Sequence, residues 1–197
     1  GDEKTDTAEG VTTICQIIGM NHDDLNPADA RYNDATYNGG TRKAGITFAM
    51  KDQYATTKYM NSSNTNSGGW ESCYMRSTVM PLIKNGLSAS LQAVLRTVSK
   101  LAGTGAGSTS GVNTSADTLF LLAECEVFST RSYSVAGEGS LYAYYAAGNS
   151  RIKKRAGSAA WWWLRSPYSG GSIKFLGVGS DGSINGSGAN SSGGVAA

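Results

Sequence analysis

The residues able to do chemistry are few and scattered. His22 is the only histidine of the 197-residue chain and stands in the run Asn21-His22-Asp23-Asp24. One histidine with two acids falls short of a transition-metal ligand set, and catalysis would need a base beside a nucleophile. The run is expected to be a hydrogen-bonded turn at a strand end. Glu124 and Glu126 lie two apart and would share one face of a strand. Glycosidases, however, carry their two carboxylates across a substrate cleft, so salt links or hydrogen bonds are the expected role of this pair. Cys15, Cys73 and Cys125 are odd in number and widely spaced, with no CxxC. They fit small core or partly buried positions, and a disulfide between two of them is left open with no pair chosen. Ser180-Asp181-Gly182-Ser183 lacks the alternating acids of a calcium loop and is expected to be a tight turn between two short strands. The glycines of the tail form no GxxxxGK[ST] phosphate loop. No catalytic residue, metal site or cofactor follows from these motifs.

The strongest anomaly is Trp161-Trp162-Trp163. Adjacent indoles on a strand alternate, so Trp161 and Trp163 point one way and Trp162 the other. Core packing is expected of at least one face, and an aromatic shelf for sugars is the functional alternative. After Pro167 the composition changes: residues 168–197 hold nine Gly and seven Ser, punctuated by Phe175, Leu176, Val178 and Val195.

The elements that would position these groups are mixed. Thr12–Met20 and Ala44–Met50 are expected strands. The pattern over Lys51–Met60 is helical, and Asn61–Gly69 is a loop. Trp70–Leu87 is an expected helix that Pro81 must shift or break. Ser88–Leu101 is the clearest helix, capped by Ser88, with Leu91, Val94, Leu95 and Val98 as one stripe. Gly103–Ser115 is a surface loop, Thr118–Phe128 a strand or a strand and turn, Ser140–Ala147 a short helix, and Trp161–Leu164 an aromatic strand. Without βαβ alternation this is an α+β class.

The length suits one domain. Charged residues at 16% and 26 glycines describe a loop-rich fold with a small, neutral polar surface. A net charge of +2 gives no electrostatic case for nucleic acid, and Arg151, Lys153, Lys154 and Arg155 fit a solvated turn. No apolar stretch is long enough for membrane insertion. Opening on Gly1 without Met, the chain looks like a domain cut from a longer protein.

Several runs carry a resemblance that covers nearly the whole chain: IIGMNHDDL, KAGITFAMKD, GGWESCYMRSTVMP, LFLLAECEVF, YAYYAAGNSRIKKR, and above all WWWLRSP followed by SDG. The chain resembles a domain family of unknown function common in gut Firmicutes and their phages. That family is in turn similar to the C-type-lectin-like variable proteins diversified by retroelements, which include phage tropism determinants and surface-displayed ligand binders. The resemblance implies a single C-type-lectin-like domain over residues 1–197, displayed extracellularly or on a virion, bacterial or phage surface. It implies protein or glycan partners on a target cell, and other domains of the same parent protein. The variable ligand face would comprise Tyr168, Gly170, Gly171, Ile173, Lys174, Gly177, Gly179, Asp181, Asn185, Ser187, Asn190 and Ser192. Trp161, Trp162, Trp163 and Arg165 would be scaffold. All of the face except Lys174 belongs to the residue set that adenine-directed mutagenesis of Asn codons produces. The family continues past GVA into a closing strand, which an ending at Val195-Ala196-Ala197 would leave trimmed. The calcium- and sugar-binding acids of the lectins are absent, so calcium-dependent glycan binding is not carried over. The alternatives are a structural decoration or adhesin module and, third, an enzyme related to formylglycine-generating or sugar-processing members of the same fold.

Overall fold

A computed structural model describes residues 3–8 and 11–197; Gly1, at which the chain opens, lies outside them. The protein is α+β, with short strands that pair antiparallel and brief helices between them. The β-branched N-terminal run forms β1 (Glu3–Ala8) and β2 (Val11–Met20), with β3 (Ile46–Met50) on the far side of β2. A second sheet has the order β10-β9-β8, from β8 (Trp162–Pro167), β9 (Lys174–Val178) and β10 (Ile184–Gly188). Two hairpins complete the set: β4 (Val98–Gly103) with β5 (Val112–Asp117), and β6 (Lys153–Arg155) with β7 (Ser158–Ala160).

The tryptophan alternation explains the core. Trp163 and Phe175 face one apolar cluster, with Trp70, Met75, Met80, Ile83 and Leu91, and Trp161 packs against it. Trp162, Leu164, Leu176 and Val178 face a second, with Ile18, Tyr142, Tyr145 and Ala196. The β8–β9 pair is thus buried on both faces. The indoles are structural: Trp162 and Trp163 are fully buried and form no sugar shelf.

Residues 193–197 close the molecule. The amides of Met50, Tyr54 and Lys58 donate to the carbonyls of Ala197, Val195 and Gly193, and Trp163 N donates to Gly194 O. These residues are buried, so the terminal segment itself supplies the pairing that a trimmed ending was expected to lose. It also accounts for Lys51–Met60, which is not helical: its backbone is committed to the C-terminal segment.

Other helices are shorter than the pattern implied. Trp70–Leu87 divides into α1 (Gly69–Ser72), a π-helical turn over Met75–Val79, and α2 (Met80–Gly86). Pro81 follows directly on the π-helical turn, with Val79 and Met80 already helical, so the helix is altered just before the proline and runs on through it. Ser88 does cap α3 (Ala89–Val94), its Oγ accepting from Leu91 N at 3.3 Å. The chain then turns extended, because Thr97 N is taken by Asp29 and Val98 pairs with Leu25 before entering β4. Gly103–Ser115 is only partly loop, since β5 begins at Val112. Thr118–Phe128 is not a strand. Its polar end folds into the single turn α4 (Glu124–Val127), and Glu126 reaches back to accept from Ala123 N at 2.9 Å. The expected short helix is α5 (Ala143–Ala146). All three cysteines are free; Cys15 and Cys73 are buried. No helix of the described residues is long and apolar enough to cross a membrane.

Lys153 departs from the solvated basic turn. It is buried, its ammonium donating to Met50 O and lying 5.3 Å from the Trp162 ring centroid. Burial pushes its pKa down from 10.5 to about 8, against the pull of Asp52 and Cys15. Below pH 8 both folded and unfolded chains hold the proton and the cost of burying the charge is complete. Between pH 8 and 10.5 only the unfolded chain holds it, so that cost fades as pH rises. Lys153→Met is therefore expected to be more stable than the parent by about 2 kcal/mol at pH 7. The advantage should shrink toward zero by pH 10 in urea unfolding of both proteins, and a constant or widening advantage would contradict this.

Candidate functional site

The site is built on a buried network of charges. Arg165, on β8, is fully buried and spends all five N–H groups. Its Nη atoms clamp Glu126 at 2.5 and 2.9 Å, and the remaining donors take the carbonyls of Leu101, Leu121 and Glu138. Lys100 donates to Glu126 at 2.6 Å and to Asp23 at 2.7 Å, and Asp23 also accepts from Tyr142 and Thr47. Burial would push the Glu126 carboxyl up, but the charges of Arg165 and Lys100 outweigh it and hold the pKa below the ordinary value. Asp23 is likewise held low: hydrogen bonds from His22 and Lys100, and the Lys100 charge, overcome its burial. Glu138 goes the other way, raised by burial despite hydrogen bonds from Ser166 and Gly103.

Two arms of polar anchoring reach from this interior to the surface. Ser166 accepts from Glu124 N at 2.9 Å, and the Glu124 carboxylate accepts from the amides of Ser132, Tyr133 and Ser134 at 2.7–3.2 Å. Tyr133 is thereby fixed by a buried acid. Asn66, also fully buried, donates to the carbonyls of Gly171 and Lys174 at 2.8 Å and of Tyr168 at 3.4 Å, while its Oδ1 accepts from Ala106 N. That one amide sets the course of residues 168–174. Ser169 joins the arms, its N and Oγ both donating to Tyr133 O.

Between the arms lies a cleft of about 270 Å³, lined by Tyr133, Tyr168, Lys174, Leu176, Ile184, Asn185 and Gly186. The tyrosine ring centroids are 6.0 Å apart with planes at 57°. Leu176 and Ile184 are apolar, and Lys174 and Asn185 add an ammonium and an amide. Aromatic faces beside a few polar groups are the equipment of a binding site.

The expected ligand face is divided by the structure. Tyr168, Lys174 and Asn185 meet at the cleft, with Gly170 and Gly171 in the turn beneath the Tyr168 ring. A Cβ on Gly170 would stand 2.5 Å from the Tyr168 hydroxyl, so this glycine lets the ring lie over the turn. Ile173 is exposed nearby at 45%. Half-buried Ser187 pairs with Phe175 across the β9–β10 ladder. Asp181 lies beyond the cleft in the tight turn expected of it, accepting from Ser183 N and Oγ. Asn190 and Asn64 flank Gly188, and Ser192 donates to Thr57 at 2.7 Å, forming a separate patch. Gly177 and Gly179 are buried and present nothing to a ligand. At Gly177 a Cβ would stand 2.7 Å from Trp162 O, too close for any side chain.

Sequence reasoning missed Tyr133 and Asn66. Each sits in an ordinary polar loop; only the pairing of those loops with the tail gives them a role. The Glu124–Glu126 pair was expected on one strand face. On a helical turn the two diverge instead, Glu124 to the Tyr133 loop and Glu126 to Arg165, and both are engaged in the hydrogen bonds and ion pairs foreseen for them.

His22 does close a strand-end turn, stacked 3.9 Å over Tyr142, with Nε2 at 3.1 Å from Ser140 Oγ and Nδ1 at 3.4 Å from Asp23. Among the described residues no group of three or more His, Cys, Asp or Glu could hold a metal.

The family described as "Domain of unknown function (DUF6273)" matches residues 44–196, more than three quarters of the chain. The chain belongs to that DUF6273 family. The match takes in β3 through the C-terminal segment, and with them both anchoring arms and the cleft. No curated protein and no solved structure matches the chain.

Proposed function

We propose that this protein is a ligand-binding display domain and not an enzyme, and that it engages a protein or glycan on a target cell through the cleft between Tyr133 and Tyr168. The observation that carries this reading is the convergence of two tyrosines, Lys174 and Asn185 on a rigidly anchored cleft at the head of the Gly/Ser-rich tail. Tyrosine contributes contact area at small entropic cost, and Asn and Lys contribute adaptable polar contacts. The binding surface is side chain while its support is backbone held from below, so the ligand-facing residues can change without disturbing the core.

A C-type-lectin-like arrangement and retroelement diversification of the tail belong to the same proposal. In its favour, the exposed tail positions Ile173, Asp181, Asn185, Asn190 and Ser192 carry residues accessible from Asn codons, exposed Lys174 being the exception, whereas Phe175, Leu176 and Val178 hold the tail to the core. Sequencing around the gene tests it. A reverse transcriptase beside a near-copy of the tail's coding region, differing at adenines, is the expected result; relatives consistently lacking both would sink the diversification.

One observation favours a second reading, acyl transfer at Ser140. Ser140 is exposed, His22 Nε2 is within 3.1 Å of its hydroxyl, and Asp23 lies behind the ring. It ranks second because Asp23 is already committed to Lys100, Tyr142 and Thr47. A fluorophosphonate should leave Ser140 unlabelled by mass spectrometry. Labelling lost in His22→Ala would reverse the ranking.

A further inference from the structure

Sharing no lining residue with the Tyr133–Tyr168 cleft, and independent of that reading, a crevice opens between β3 and α3. Its inner volume is about 110 Å³, and its walls include Phe48, Leu91, Leu95, Leu119, Phe120 and Leu122. That is the scale of the ~150 Å³ apolar cavity that accepts a benzene ring. Val94 and Ile46, 56% and 44% exposed, also line it. The lining also holds two cations, Arg96 and Lys4, with Thr47, Thr118 and Ala197 among its other members. Arg96 spends one Nη on the carbonyl of Leu95 and lies 5.6 Å from the Tyr37 ring centroid, but its buried Nε has no hydrogen-bond partner. Nor does either cation form an ion pair among the described residues. A guanidinium and an ammonium with no acid partner beside an apolar crevice are complementary to an anion with an apolar body.

We propose that the crevice is a binding site for a small apolar monocarboxylate, an aryl or short-alkyl acid. Its hydrocarbon part fills the space between Phe48, Leu91 and Phe120, and its carboxylate pairs with the Arg96 guanidinium, with Lys4 adding charge. The walls recognise the hydrocarbon and the two cations recognise the anion, so both parts of the ligand are needed.

The test titrates 4-phenylbutyrate, and its neutral counterpart 4-phenylbutanol, into the methyl-labelled 197-residue protein and follows the leucine methyls by NMR. Saturable shifts at Leu91, Leu95, Leu119 and Leu122 are expected with the acid, at a Kd below about 1 mM. The alcohol should bind at least about tenfold more weakly, and Arg96→Gln should weaken the acid by a similar factor. Val94→Trp, which alters an exposed lining position, should abolish the shifts while leaving the rest of the spectrum in place. Equal binding of acid and alcohol, an unaffected Arg96→Gln variant, or the absence of saturable shifts up to about 5 mM would overturn the proposal. So would concentration-dependent broadening at Ile46 and Val94 that the acid does not reverse, which would assign the crevice to a second copy of the chain.

Discussion

Arg165→Ala is expected to cost about 4 kcal/mol of unfolding free energy, a large share of the roughly 5–15 kcal/mol a domain has to spare. The guanidinium is completely buried and satisfies a carboxylate and three carbonyls at once. Its removal leaves Glu126 with Lys100 and the Ala123 amide, and leaves the carbonyls of Leu101, Leu121 and Glu138 without this donor. Breaking a buried pair from one side is far worse than replacing both partners. Arg165→Met combined with Glu126→Leu should therefore lose less than the two single changes summed. Urea unfolding followed by tryptophan fluorescence measures both, and a single-variant loss under about 1 kcal/mol would contradict the network's role.

Asn66→Ala is expected to cost about 3 kcal/mol and to release residues 168–174 locally. One amide there holds three carbonyls of the cleft loop and one amide of the β4–β5 turn, and no water-exposed position can substitute. The variant should fold, retaining the core built on Trp70 and Trp163. It should show faster amide exchange and protease cleavage confined to the tail's first turn. Asn66→Asp keeps the acceptor for Ala106 N but loses the donors, so it should free the same segment. Protection unchanged at residues 168–174 in both variants would show that Asn66 does not anchor the cleft.

Much of the scaffold was legible because its signals are local. The β-branched run gave β2, the alternation of Trp161–Trp163 gave a strand with at least one buried face, and Asp181-Gly182 gave the turn of the last hairpin. What could not be read depends on partners distant in sequence. Lys51–Met60 has a helical pattern, yet the amides of Tyr54 and Lys58 are claimed by residues 193–197 and those of Lys51 and Gln53 by Ile14 and Lys154. Ser88 begins a helix as its side chain dictates, but Asp29 and Leu25 pull Thr97 and Val98 out of it. The geometry of the proposed ligand face was half legible. Composition marked the tail, and Tyr168, Lys174 and Asn185 do meet, whereas burial removes Gly177 and Gly179, and Asp181, Asn190 and Ser192 fall elsewhere. Glycine in such a tail has two meanings, a variable surface residue or a close approach of backbone to core, and only the packing at Trp162 separates them.

Binding to an array of bacterial surface glycans and cell-surface proteins, repeated with cleft and control variants, tests the central claim most directly. The proposal expects a ligand whose affinity falls at least about thirtyfold in Tyr168→Ala and Tyr133→Ala. Lys174→Ala should have a smaller effect, and Asp181→Ala and Ser192→Ala should bind as the parent does. A ligand held with undiminished affinity by folded Tyr133→Ala and Tyr168→Ala proteins would contradict it.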